Sequence, residues 1–164
     1  MPANSEQRTA DRFTMLESQA REITRRYEEK HAAMLPLLQL VQEQQGYITP
    51  DGEQWVAEQI GTSLAHVREV VSFYTLLRTQ PVGKYHIQVC SNMSCWLRGC
   101  DAIIQYVETK LGIRVGETTP DGKFTLSTVE CLCACELAPM VQLNDRYIGP
   151  LTRETVDHML AECR

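Results

Sequence analysis

The stretch KYHIQVCSNMSC, residues 84–95, is where the chain changes character. Tyr85, Ile87 and Val89 alternate with polar residues, the period of a strand with one face in a core. The run ends on Cys90, and Cys95 comes close behind. A strand that delivers a thiol at its end is a firm mount for a ligand. The residues before this stretch read as helix, and those beyond it as a mixture of strand and helix.

Upstream, residues 18–80 form a predicted bundle of about four helices behind a flexible N-terminal tail, residues 1–17. REITRRYEEK (21–30) is charged and helix-prone, and MLPLLQLVQEQQGY (34–47) spaces Leu37, Leu38 and Val41 helically behind Pro36, which suits a first turn. TPDGEQWVAEQIG (49–61) offers Thr49 as N-cap, Pro50 at the first helical position and Gly61 as C-cap. SLAHVREVVSFYTLL (63–77) aligns Leu64, Val67, Val70, Val71 and Tyr74 on one face.

Downstream, residues 81–164 read as a compact mixed domain. Ile103, Ile104, Val107 and Leu111 form a helical stripe closed by Gly112, and a turn at Pro120, Asp121 and Gly122 leads into a strand ending at Cys131. A hairpin turns at Asn144 and Asp145, and a last helix starts behind Thr152. The fold class is therefore α+β.

A net charge of -5 without a basic half disfavours nucleic acid as a partner. The longest apolar run, AAMLPLLQLV (32–41), is half the length needed to cross a bilayer and contains Pro36, so no membrane insertion is expected. The N-terminus has no signal-type apolar region, which makes a reducing, cytoplasmic setting the default.

In that setting seven cysteines, none before residue 90, call for metal, cluster or redox chemistry. Cys90 with Cys95 and Cys131 with Cys135 make two pairs, each after a predicted strand. Structural zinc prefers closer knuckles, and a thioredoxin-type dithiol needs a CxxC that is absent. A [2Fe-2S] cluster takes four thiolates, two on each iron, which wide loops can supply. Cys100 and Cys163 have no partner at ligand spacing and read as buried or tail thiols. His31, His66, His86 and His158 read as surface or internally satisfied.

The segments VCSNMSCWLRG (89–99) and LGIRV through IGPLT (111–152), with LPLLQLVQEQQGYITPD (35–51) and VREVVSFYTLL (67–77) before them, resemble the E-type [2Fe-2S] subunit of NADH:quinone oxidoreductase, respiratory complex I. Homologous subunits serve NAD-dependent formate dehydrogenases and hydrogenases. The resemblance implies a helical bundle followed by a thioredoxin-like [2Fe-2S] ferredoxin domain. It implies Cys90 and Cys95 on one iron and Cys131 and Cys135 on the other. It also implies an FMN- and [4Fe-4S]-bearing flavoprotein partner that binds NADH, among other subunits of the NADH-oxidising module. The chain would then be an electron carrier with no catalytic residue of its own, in the peripheral arm of a membrane-attached complex.

One residue departs from the family. Where CLCAC (131–135) has Cys133, relatives usually have glycine. Two thiolates on one tetrahedral metal lie roughly 3.8 Å apart, whereas alternate residues of a strand are about 6.6 Å apart. Unless the chain folds back, Cys133 cannot share a metal with either neighbour, and it reads as a small stand-in for glycine. Arg98 is the nearest candidate cation, Trp96 a candidate shield, and the amides of SNMS (91–94) and ELAP (136–139) candidate donors to sulfur.

Overall fold

A computed structural model of the chain describes the backbone of residues 5–164 and the side chains from residue 13 onward. It divides into two compact units, Met1–Pro81 and Val82–Arg164.

The first unit is helical. Helix α1 spans Ser5–Arg25, α2 Met34–Gln45, α3 Pro50–Ile60 and α4 Leu64–Phe73, with a 3₁₀ turn at Lys30–Ala33. The caps are the ones the sequence offers. The Thr49 hydroxyl accepts from the Gly52 amide at 3.1 Å, Pro50 occupies the first turn, and Gly61 closes α3 with a left-handed φ of 80°. Leu37, Leu38, Val41, Val56 and Val67 are fully buried, and Phe13 stacks on Trp55 with ring centroids 5.3 Å apart. At Gly52 a Cβ would lie 2.7 Å from Val41 Cγ1, so glycine lets α3 sit closely on α2.

Two boundaries differ from the sequence reading. Residues 5–17 belong to α1 rather than to a tail, because Phe13 and Leu16 are buried in the helical core and draw the segment onto it. Residues 1–4 of that expected tail lie outside the described residues. Helix α4 stops at Phe73, one residue before Tyr74, the last of the predicted stripe, and four before Leu77, where the predicted helical segment ends. The segment beyond it is held by tertiary bonds: Gln42 donates to the Leu76 carbonyl and accepts from the Arg78 amide, while the Ile48 amide donates to the Arg78 carbonyl.

The second unit is built on a four-stranded sheet in the order β2-β1-β3-β4, with β1 at Tyr85–Cys90, β2 at Phe124–Val129, β3 at Val141–Leu143 and β4 at Arg146–Ile148. The short α5 (Met93–Leu97) and α6 (Cys100–Leu111) lie between β1 and β2, which pair in parallel and so need such a crossover. Strand β3 is antiparallel to both of its neighbours. Helix α7 (Arg153–Glu162) starts behind a capping box in which Thr152 and Thr155 bond reciprocally. Ile103 and Val107 of α6 and Val156 and Met159 of α7 share one core with Ile87, Val89 and Leu126 of the sheet.

Strand β1 departs from simple alternation. His86 and Gln88 are buried along with Ile87 and Val89, so both faces of the strand are covered. Burial of a polar group is tolerated when it is bonded, and His86 Nε2 meets Ser127 Oγ at 2.7 Å. The hairpin turn helps to fix β1: Asn144 has φ of 52°, its side-chain oxygen accepts from the His86 amide, and its own amide donates to the His86 carbonyl. Among the described residues no helix is long and apolar enough to cross a membrane.

Candidate metal centre

The sheet brings the two cysteine pairs to one end. In the β1–β2 register Cys90 stands opposite Val129, the last residue of β2. Cys131 therefore emerges two residues beyond the point where Cys90 ends its own strand. The junction is tied by the Ser91 amide and hydroxyl, which donate to the Val129 carbonyl at 3.0 and 3.1 Å, and by the Cys90 amide, which donates to the Met140 carbonyl at 3.1 Å.

Cys95 reaches this place through α5. Asn92 caps the helix by accepting from the Met93 amide at 2.9 Å, and one tight turn then points Cys95 inward. Cys90 and Cys95 are both buried, close enough for the Cys90 thiol to bear on that of Cys95. Burial, followed by the Cys90 hydrogen bond, pushes the Cys95 thiol up to about 11, against a backbone hydrogen bond from Met140 that pulls it down. A cation bound at Cys95 would oppose that shift by ligating the thiolate.

The second pair sits on irregular backbone. Strand β2 ends at Val129 rather than at Cys131, and in the loop after it Leu132 and Ala134 are buried while Cys131, Cys133 and Cys135 are exposed. The apolar residues of CLCAC anchor the loop and leave its thiols on the outside. Cys133 takes a left-handed φ of 55°, a conformation that glycine adopts without steric cost. Its backbone then folds back: the Cys133 amide donates to Cys131 Sγ at 3.3 Å, and the two sulfurs are 3.9 Å apart. The strand spacing that argues against Cys133 sharing a metal with Cys131 is therefore not the spacing of this loop. Cys135 opens a 3₁₀ turn, Cys135–Leu137. The Cys133 thiol lies above its ordinary range, chiefly through its bond to Cys131, with Cys135 and Cys90 near enough to add to the effect.

The donors suit a thiolate-held cluster. Among the described residues no three His, Cys, Asp or Glu side chains gather to hold a single ion. The thiols lie instead as one buried pair and one exposed loop set at neighbouring strand ends, and a [2Fe-2S] cluster draws two thiolates to each iron.

The remaining candidates are placed elsewhere. Cys100 is buried at the start of α6 and Cys163 at the C-cap of α7, where its thiol donates to the Met159 carbonyl at 3.3 Å; burial raises both. His31, His66 and His158 are exposed, the last two beside Glu69 and Glu162. Trp96 is 59% exposed, and Arg98 is exposed. Sequence reasoning missed Met140, whose backbone bonds depend on the long-range β1–β3 pairing. It also missed the alternation of Leu132 and Ala134, which is visible in CLCAC as apolar residues between thiols.

Comparison with known proteins gives a consistent assignment. The profile of the thioredoxin-like [2Fe-2S] ferredoxin family matches residues 20–164. The second E-type subunit of NADH-quinone oxidoreductase from Rhizobium meliloti is 45% identical over 139 residues, covering 85% of this chain and 83% of that protein. The E-type subunit of NADH-quinone oxidoreductase from Rickettsia conorii is 44% identical over 144 residues, covering 86% of each. Among solved structures, a chain of an NAD+-reducing [NiFe]-hydrogenase superposes with a TM-score of 0.66 at 16% identity, over 77% of this chain and 22% of the larger one. That likeness concerns the fold alone.

Proposed function

The chain belongs to the thioredoxin-like [2Fe-2S] ferredoxin family, and from that premise we propose that it is the one-electron-carrying E-type subunit of an NADH-quinone oxidoreductase, with Cys90 and Cys95 ligating one iron and Cys131 and Cys135 the other. The observation that carries the ligand set is the register of the two parallel strands, which end Cys90 opposite Val129 and so bring both pairs to one sheet end. Relatives at 45% and 44% identity bearing that subunit's name support the parent complex.

When bound, the [2Fe-2S] cluster supplies a site that gains and loses one electron. The protein's own groups set the surroundings. Cys90 and Cys95 provide a buried half that keeps water off one pair of sulfurs, and the Met140 backbone near Cys95 favours its thiolate. Cys131 and Cys135 provide a half open to solvent. Beside Cys95, α5 turns Met93, Trp96 and Leu97 outward at 72%, 59% and 71% exposure. Such an apolar surface next to a redox site suits a docked partner, and the partner in this reading is the flavoprotein subunit that carries FMN and oxidises NADH. The assembly would sit on the cytoplasmic side of the membrane, in the complex's peripheral arm.

The test is iron and acid-labile sulfide analysis with low-temperature electron paramagnetic resonance of the reduced chain, together with co-purification of a flavin-bearing subunit. Two irons and two sulfides per chain and a signal lost in Cys90→Ala, Cys95→Ala, Cys131→Ala and Cys135→Ala are expected. Zinc in place of iron, or a signal abolished by Cys133→Ala alone, would defeat the reading.

A further inference from the structure

The loop after β2 carries one thiol more than the proposed ligand set uses. Cys133 Sγ lies 3.9 Å from Cys131 Sγ, and both residues are exposed. The contact is built in: the left-handed φ of 55° at Cys133 turns the chain, the Cys133 amide bonds to Cys131 Sγ at 3.3 Å, and buried Leu132 and Ala134 hold the loop from beneath. Closing a disulfide requires the sulfurs to approach by about 2 Å, a movement that side-chain rotation can supply.

We propose that in the cluster-free chain Cys131 and Cys133 form a reversible disulfide within the loop, which withholds Cys131 from the cluster until it is reduced. The proposal rests on the reading of Cys131 as a ligand. The oxidant is a small-molecule disulfide such as oxidised glutathione. The Cys131 thiolate attacks one of its sulfurs, forming a mixed disulfide and expelling one glutathione thiolate. The Cys133 thiolate then attacks Cys131 Sγ, forming the loop bond and expelling the second. Two protein thiols are oxidised, and two glutathione thiols, with their protons, are the reduced products. A glycine at 133 would preserve the backbone and remove the bond, so the extra thiol adds redox sensitivity to a loop that otherwise only ligates.

The full-length cluster-free chain is incubated with oxidised glutathione, alkylated, digested and analysed by mass spectrometry. Iron and sulfide uptake is then measured before and after dithiothreitol, in the parent and in Cys133→Gly. A peptide two hydrogens lighter, with Cys135 alkylated and fragmentation suppressed between Cys131 and Cys133, is expected. Uptake should be lost on oxidation and restored by dithiothreitol in the parent, whereas Cys133→Gly should carry glutathione on Cys131 and no loop bond, since it has no Cys133 thiol to complete the exchange. No such bond, or a bond through Cys135, overturns the proposal. A Cys131–Cys133 bond that leaves uptake intact overturns the block and places the fault in the ligand reading of Cys131.

Discussion

Gly149 lies so close to Leu137 that a Cβ at position 149 would run into the Leu137 carbonyl oxygen, with Met140 Cβ 3.1 Å away on another side. Leu137 ends the 3₁₀ turn that begins at Cys135, and the Met140 carbonyl accepts from the Cys90 amide. One glycine far along the chain thus clears the space in which both halves of the centre are arranged.

Gly149→Ala should therefore push on the Cys135 turn and on Met140 together. Overpacking of this kind costs about 1–3 kcal/mol. Urea unfolding of the cluster-free chain should show the loss, and iron content after reconstitution should fall with it. Unchanged stability would mean that the turn yields freely.

Cys133→Gly should make the cluster-free chain more stable. A non-glycine residue in the left-handed region costs roughly 1–2 kcal/mol, and glycine gives back about 0.5–1 kcal/mol through its freedom in the unfolded chain. The net gain lies between about 0 and 1.5 kcal/mol, readable as a higher urea midpoint at constant slope. Cys133→Val, with a branched side chain at the same φ, should fall below the parent.

Asp157 joins α7 to α6 by accepting from the Tyr106 hydroxyl at 2.8 Å and pairing with Lys110 Nζ at 2.9 Å. The Lys110 side chain first, and then the Tyr106 hydroxyl, hold its carboxyl below the usual carboxylate range. A depressed folded pKa means that the stabilisation is present above the unfolded value, about 3.9, and is lost as pH falls through the folded one. Asp157→Asn should be less stable than the parent at neutral pH, with the difference vanishing in acid. Urea unfolding across that range checks it, and a difference that persists in acid would trace to packing instead.

Thiol accessibility gives a direct map of the centre. In the native cluster-free chain Cys131, Cys133 and Cys135 should react quickly with a thiol reagent, and Cys90, Cys95, Cys100 and Cys163 only as fast as the fold opens. Time-resolved alkylation read by mass spectrometry distinguishes the two classes. Fast labelling of Cys95 would contradict its burial.

Local signals were well legible in the sequence. Thr49, Gly61, Gly112 and Thr152 end or begin helices where their chemistry says they should, since caps depend on neighbours within a turn. The α+β order and the delivery of Cys90 by a strand were legible for the same reason. Three features were not. Burial of His86 and Gln88 depends on what covers β1 in three dimensions, which a period-2 pattern does not encode. The helix over residues 5–17 owes its place to tertiary packing of Phe13 and Leu16. The turn at Cys133 runs against the residue's own preference, so only its glycine-like position in the family hinted at it.

Leu132 and Ala134 are seated in the core of the second unit, and this gives the centre a different kind of economy from a zinc finger, whose fold waits for its ion. The contour of the thiol loop is carried by hydrophobic burial and is thus preorganised. Loading and losing the cofactor would then be events of docking rather than of folding, and a chain stripped of iron would keep a memory of where the iron belongs. Far-ultraviolet circular dichroism, which reports the backbone, should scarcely change between the stripped and reconstituted forms.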